Sequence, residues 1–134
     1  MAKIYFDAAT AGNPGVSACA VVLVIDNERF HYTKDLGVMD NHSAEWATLI
    51  FALECATKHD ISTALVFTDS KLIEDSINKG SVKNEKFKLY YDKMLQLEQN
   101  FELFFVRWVP RNQNKEANHH AKNELYKTTK QNKK

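Results

Sequence analysis

Three acidic residues stand where this chain could do chemistry: Asp7, Glu45 and Asp69. Asp7 and Asp69 each end a run of β-branched and aromatic residues, and Glu45 opens a long apolar segment with helical spacing. Such positions lie where a buried element reaches the edge of the core. Carboxylates that are brought together repel one another unless a cation lies between them, and hard oxygen ligands suit Mg²⁺ or Mn²⁺. The three residues therefore predict a two-metal site of the kind that cleaves phosphodiesters.

Length and composition restrict the kind of protein. A chain of 134 residues predicts one domain, and 44% hydrophobic residues are ordinary for a soluble globular protein. No apolar stretch approaches the ~18 residues that a membrane span needs, and the N-terminus lacks the layout of a signal peptide. The two cysteines, Cys19 and Cys55, match no zinc or redox spacing, so we expect buried, reduced thiols. These features predict a cytoplasmic protein with no membrane association, and we expect a monomer.

Charge is divided unevenly along the chain. The net charge is +1, but residues 122–134 contain five lysines and one acidic residue, which gives this segment +4 and leaves −3 for residues 1–121. We expect residues 127–134 to form a basic, disordered tail after a single domain of residues 1–126. Such a tail would attract phosphate groups or would simply be a soluble end.

Apolar periodicity and turn signals predict nine elements in the order β-β-β-α-β-α-α-β-α. We expect five strands, at Lys3–Ala9, Val16–Ile25, Arg29–Leu36, Ile61–Thr68 and Phe101–Val109. We expect four helices, from Ala44 to about Lys58 with Ser43 as N-cap, from Ser70 to about Lys79, from Glu85 to Asn100, and from Gln113 or Asn114 to about Tyr126. Short turns between the first three strands predict an antiparallel meander, and the continuous apolar run of the fourth strand suits a central parallel position.

Four short motifs resemble those of the type I ribonuclease H family. In chain order they are Asp7-Ala8-Ala9-Thr10-Ala11-Gly12-Asn13-Pro14-Gly15, Asn41-His42-Ser43-Ala44-Glu45, Thr68-Asp69-Ser70, and Val109-Pro110-Arg111 with Asn114-Lys115-Glu116-Ala117-Asn118. The motifs lie in register with the elements between them and cover about residues 3–125. The resemblance implies an α/β fold of the ribonuclease H-like superfamily. That fold has a central five-stranded mixed sheet, with three antiparallel and two parallel strands and helices on both faces.

The family cleaves the RNA strand of RNA–DNA hybrids with four carboxylates and two Mg²⁺ ions, for which Mn²⁺ can substitute. The resemblance places Asp7, Glu45 and Asp69 on three of these carboxylates, whereas Asn118 stands where the fourth is expected. An asparagine oxygen can bind a hard cation but brings no charge, so the resemblance implies a ribonuclease H with weakened metal binding. Glu116 points away from Asn118 on the predicted helix and is a poor substitute for the missing carboxylate.

The resemblance also implies which residues bind the substrate. The 2′-hydroxyl groups distinguish RNA from DNA, and the resemblance assigns their contacts to Asn13, Asn41 and His42. Arg111 is the nearest candidate for the role in product release that a histidine has in some members of the family. Asp40 would repel a phosphate placed near it.

Simpler roles remain open for several residues. Asp69 could be a helix N-cap, Glu45 could interact only with a helix dipole, and Asn41 could only shape its loop. Two other functions also remain open: a catalytically silent module of the same fold that binds RNA–DNA hybrid or RNA, and another nuclease of the superfamily, such as a DNA-junction resolvase. The missing fourth carboxylate and Asp40 favour the silent module, whereas the Asn13 and Asn41 loops disfavour the resolvase.

Overall fold

The computed structural model describes residues 1–132, which form a single five-stranded sheet and the helices around it. Strands β1 (Ala2–Gly12), β2 (Gly15–Ile25) and β3 (Glu28–Met39) form the antiparallel meander, and β4 (Thr63–Thr68) and β5 (Leu103–Trp108) run parallel to β1. The order across the sheet is β3-β2-β1-β4-β5, so β1 is the central strand. The predicted mixed sheet is confirmed.

The meander is longer than predicted at one end. β3 extends to Met39 rather than ending at Leu36, since its ladder with β2 continues through the pair Val16–Val38. The register shifts at Leu36, which has no partner in β2. Gly37 follows with a φ of 77°, a conformation that glycine adopts without steric strain.

Four α-helices complete the fold: α1 (Asn41–Thr57), α2 (Lys71–Lys79), α3 (Lys88–Glu98) and α4 (Lys115–Asn132). α3 is shorter than predicted because Glu85–Phe87 forms a separate 3₁₀ turn, capped by the side chain of Asn84. α4 runs to Asn132 instead of ending near Tyr126, so residues 127–132 of the predicted disordered tail are helical. The last two residues of that tail lie outside the described residues. None of the described helices has the length and apolar character needed to cross a membrane.

The N-cap of α1 is Asp40, so the prediction of Ser43 was wrong. The Asp40 carboxylate accepts hydrogen bonds from the Ser43 N–H at 2.9 Å and from the Ser43 hydroxyl at 2.8 Å. Lys86 pairs with the same carboxylate. Lys86 first and Ser43 second hold the pKa of Asp40 well below its usual range. The Asp40 charge is therefore compensated by Lys86, which removes the main reason to expect repulsion of a nearby phosphate.

Helices cover both faces of the sheet, as predicted. α1 packs against β1 and β2 with α3 beside it, and the core on this face includes Ile4, Phe6, Trp46 and Leu49. α4 packs against β2, β1 and β3 from the other face, where fully buried small side chains allow a close approach. These are Ala18, Ala20, Ala117 and Ala121. Both cysteines, Cys19 and Cys55, are buried and unpaired, in agreement with the prediction.

Candidate active site

Asp7 lies where the central strand separates from its parallel neighbour. β1 pairs with β4 only as far as Tyr5, and Asp69 follows the end of β4. Ile4 and Phe6 face the core under α1, so the alternation along β1 turns Asp7 towards α4. There the Asp7 side chain is buried, and its Oδ2 accepts a hydrogen bond from Nδ2 of Asn118 at 2.7 Å. Two of the predicted site residues are therefore in direct contact.

A pocket of about 340 Å³ opens beside Asp7. Five of the predicted catalytic or substrate-binding residues line it: Asp7, Asn41, Glu45, Arg111 and Asn118. Lys122 also lines the pocket, one turn after Asn118 on α4; the sequence had marked it only as the first lysine of the basic C-terminal segment. The pocket thus combines carboxylates and amides with two positive charges.

Glu45 contributes a buried oxygen that lacks a hydrogen-bond partner. Its Oε2 lies 3.6 Å from Nδ1 of His42, which is too far for a hydrogen bond. Burial raises the pKa of Glu45, Ser70 and His42 partly offset this effect, and the charge of Asp69 adds to it. His42 itself is mostly exposed.

Asp69 is positioned by a hydrogen bond from Asn114, a residue to which the sequence analysis assigned no role. Nδ2 of Asn114 donates to Oδ2 of Asp69 at 3.2 Å and to the carbonyl oxygen of Phe6 at 2.9 Å. Asn114 is almost fully buried, so it ties the end of β4 to the strand residue that precedes Asp7. Asp69 is not among the residues that line the 340 Å³ pocket. The available sequence signal for Asn114 was its place four residues before Asn118 in the same motif.

Asp7 is a carboxylate in an environment that opposes its charge. Burial raises its pKa to about 6, with a further contribution from the charge of Asp69. The hydrogen bond from Asn118 and the positive charge of Arg111 oppose this rise without cancelling it. A buried carboxylate with a raised pKa is stabilised by any cation placed beside it.

The carboxylates do not form a closed metal cage. Within the part of the chain that the structure describes, no three Asp, Glu, His or Cys side chains lie close enough together to hold a metal ion. The predicted convergence of Asp7, Glu45 and Asp69 into such a cage is not confirmed. The chemistry of the donors, rather than their spacing, fits a divalent cation, because Glu45 Oε2 is buried without a partner and the pKa values of Asp7 and Glu45 are raised.

Asn13 and Asn41, both predicted to contact substrate, are brought together at one side of this site. The N–H of Asn41 donates to Oδ1 of Asn13 at 3.0 Å, which joins the β1–β2 turn to the start of α1. Gly15 is required in this turn, since an added Cβ would lie 1.8 Å from the carbonyl oxygen of Ala11. Both asparagines are exposed.

Glu116 takes no part in the site. Its carboxylate pairs with Arg29 at 2.6 Å, at the start of β3. This contact agrees with the prediction that Glu116 cannot replace the missing fourth carboxylate.

Comparison with known proteins places the chain in a family. Residues 5–124 match the family described as reverse transcriptase-like. The chain is 41% identical over 129 residues to EbsB of Enterococcus faecalis, which its name describes provisionally as a hydrolase; the match covers 95% of this chain and 96% of EbsB. It is 31% identical over 119 residues to a ribonuclease H of Rippkaea orientalis, covering 79% of this chain and 71% of that protein.

A solved structure agrees with these matches. The N-terminal RNase H domain of Rv2228c from Mycobacterium tuberculosis has a TM-score of 0.89 and 26% identity, with the match covering 97% of this chain and 96% of that one. The chain therefore belongs to the reverse transcriptase-like family, within the ribonuclease H-like superfamily.

Proposed function

We propose that this chain is a type I ribonuclease H, a metal-dependent endonuclease that hydrolyses the RNA strand of RNA–DNA hybrids. The observation that carries this proposal is the pocket beside β1, where the carboxylates of Asp7 and Glu45 lie in surroundings that raise their pKa values. The similarity to a ribonuclease H supports the choice of substrate. The buried, unpaired cysteines agree with a cytoplasmic location, where we expect the chain to act as a monomer.

Asp7, Glu45, Asp69 and Asn118 are the residues that would hold Mg²⁺ or Mn²⁺. A bound divalent cation would neutralise charge at the scissile phosphate and make an attacking water more acidic. Asn118 orients Asp7 through the hydrogen bond from its amide nitrogen. The amide oxygen of Asn118 would be a neutral metal ligand in place of a fourth carboxylate. Because this oxygen ligand brings no charge, we expect the site to bind the cation more weakly than a site with four carboxylates does.

The substrate would be held by groups around the same pocket. Arg111 lines the pocket and supplies positive charge for a phosphate. Asn13 and Asn41 are exposed and joined by the hydrogen bond from the Asn41 N–H to Asn13 Oδ1, and His42 is exposed near Glu45. We assign these three residues to contacts with the 2′-hydroxyl groups of the RNA strand.

A cleavage assay tests this function. The chain is incubated with labelled RNA–DNA hybrid, duplex RNA and duplex DNA, in Mg²⁺ and in Mn²⁺. We expect cleavage of the hybrid only, in its RNA strand, and none in EDTA. Asp7→Asn should lower the cleavage rate by about 100-fold or more, whereas Asp92→Asn, at an exposed position on α3, should leave it unchanged. Wild-type cleavage by the Asp7 variant would refute the proposal.

Two observations favour a second function, a catalytically silent module that binds hybrid or RNA. Asp7 receives an amide hydrogen bond from Asn118, and residues 1–132 contain no closed metal cage. The silent module would bind hybrid in the same assay without cutting it in either metal.

Asn118→Asp is the companion variant for the enzyme hypothesis. The added carboxylate should raise cleavage at low Mg²⁺, where weak cation binding limits the rate. An unchanged rate would show that Asn118 does not contact the cation.

A further inference from the structure

We propose that this site holds one divalent cation rather than two, and that Arg111 and Lys122 supply the positive charge that a second ion would bring. The inference rests on the proposed function and concerns the site before hybrid binds, because a bound phosphodiester would add negative charge. It is carried by the hydrogen bonds and charges that surround Asp7.

The first line of support is the set of oxygens that are already engaged. Asp7 Oδ2 accepts from Nδ2 of Asn118 at 2.7 Å, and Asp69 Oδ2 accepts from Nδ2 of Asn114 at 3.2 Å. An amide N–H carries partial positive charge, so each of these donors repels a cation that approaches from the same side. Both amide donors come from the chain segment that begins α4, and they disfavour an ion between Asp7 and this helix.

The second line of support is the position of the free oxygen. Among the buried carboxylate oxygens within residues 1–132, Oε2 of Glu45 is the one without a hydrogen-bond partner. It lies on α1, which packs against the face of the sheet opposite α4. A single cation is therefore best placed on the Glu45 side of Asp7, away from Nδ2 of Asn118.

The third line of support is the balance of charge. Asp7 and Glu45 line the pocket, and Asp69 lies outside its lining but close enough for its charge to act on both, so the three carry three negative charges. Arg111 and Lys122 line the pocket and bring two positive charges. The net charge before metal binding is thus −1; one divalent cation makes it +1 and two make it +3. Asp7 is only 5% exposed, so its own interactions with nearby charges are less screened than in water, whereas Arg111 and Lys122 are exposed and act partly through solvent. The second ion would enter a site that already has a positive net charge.

The inference can be tested by counting bound Mn²⁺ with electron paramagnetic resonance in the absence of substrate. Loss of the free Mn²⁺ signal gives the number bound, and two ions about 4 Å apart would give a spin-coupled spectrum. We expect one Mn²⁺ per wild-type chain and no coupled spectrum. Two bound Mn²⁺ in the wild type would overturn the inference.

A double variant that makes the metal-free site more negative tests the charge argument. Asn118→Asp with Lys122→Gln makes the metal-free net charge −3, so two divalent cations would leave +1, the value that one cation gives in the wild type. We expect two bound Mn²⁺ and a coupled spectrum. The matched control is Asn123→Asp with Lys127→Gln, which makes the same charge change at exposed positions of α4 outside the pocket and should keep one Mn²⁺. A second ion in the control, or none gained by the double variant, would refute the charge argument.

Lys122→Gln alone provides a measurement that does not depend on changing a buried side chain. Lys122 is exposed, so its removal should leave the fold intact. It should tighten the binding of the single Mn²⁺ by at least about threefold, because one repelling charge is gone. An unchanged Mn²⁺ affinity would show that Lys122 does not act on the cation.

Hybrid cleavage by the same preparations separates this inference from the proposed function. A wild-type chain that binds two Mn²⁺ and cleaves hybrid would refute the stoichiometry and leave the nuclease intact. A chain that binds one Mn²⁺ and never cleaves would refute the nuclease and leave the stoichiometry intact. A chain that binds no Mn²⁺ would refute both.

Discussion

Replacing Asp7 by asparagine should stabilise the protein at neutral pH. Burial, with the charge of Asp69, raises the pKa of Asp7 from 3.8 to about 6 in the folded state. The folded protein therefore holds this proton more tightly than the unfolded chain does. Below about pH 3.8 both states are protonated and stability is unaffected; between pH 3.8 and 6 stability falls as the pH rises. Above pH 6 the difference of about two pKa units corresponds to about 3 kcal/mol of lost stability.

Urea unfolding at two pH values, without divalent cations, measures this effect. Asp7→Asn keeps the shape of the side chain and can still accept the hydrogen bond from Asn118. The variant should have a higher free energy of unfolding than the wild type, by about 3 kcal/mol at pH 8 and by about 1 kcal/mol at pH 4.5. The exposed control Asp92→Asn should change it by less than about 0.5 kcal/mol at either pH.

Two results would refute the reasoning. One is an equal free energy of unfolding for Asp7→Asn and wild type at pH 8; the other is a gain that does not shrink on acidification. Adding Mg²⁺ at pH 8 should narrow the gap, because a cation that binds only the folded wild type raises its stability. If Mg²⁺ does not change the difference in free energy of unfolding between Asp7→Asn and wild type, no cation binds at Asp7.

Three further predictions concern residues around the site and in the core. Asn114→Ala should lower the free energy of unfolding by about 2–4 kcal/mol, because it removes a buried hydrogen bond to Phe6 and a partly buried one to Asp69 and leaves a cavity; a loss below about 1 kcal/mol in urea unfolding would contradict this. Asp40→Ala should cost about 1 kcal/mol through loss of the helix cap. Because the pKa of Asp40 is lowered by Lys86 and Ser43, that difference should persist down to about pH 4 in urea unfolding and shrink only below it. Burial raises the pKa of Cys19 to about 12 and that of Cys55 to about 11, so a thiol reagent at pH 8 should label both rapidly in urea but not in the folded protein.

The acidic residues could be placed from the sequence because each is marked by local features. Asp7 and Asp69 follow runs of β-branched and aromatic residues, which have high strand propensity, and parallel strands bring such positions to neighbouring places in a sheet. The apolar residues after Glu45 favour a buried helix. These signals depend only on nearby residues, which is why the predicted element order agrees with the structure. The five-stranded mixed sheet was predicted from the family resemblance instead.

Choices between equivalent side chains could not be made in this way. Asp40 and Ser43 are both good N-cap residues three positions apart, and Asp40 is the cap because its carboxylate also pairs with Lys86, which is distant in sequence. The side-chain amide of Asn118 can donate or accept a hydrogen bond. In the structure it donates to the Asp7 carboxylate. Sequence patterns do not reveal this contact, because Asp7 is distant in the chain. The length of α4 was underestimated because its last residues are polar, although they include no glycine or proline that would end a helix.

The free energy that Asp7 costs bears on the choice between an active nuclease and a silent module. A buried carboxylate lowers the free energy of unfolding by about 3 kcal/mol at neutral pH. This is a large fraction of the total free energy of unfolding of a typical domain, about 5–15 kcal/mol. Asparagine at the same position would keep the hydrogen bond with Asn118 and remove the penalty. In a site that only bound nucleic acid, asparagine at this position would also favour binding, since an ionised carboxylate repels phosphate. A cation bound beside Asp7 would offset this cost, so the buried charge favours the metal-dependent enzyme over the silent module.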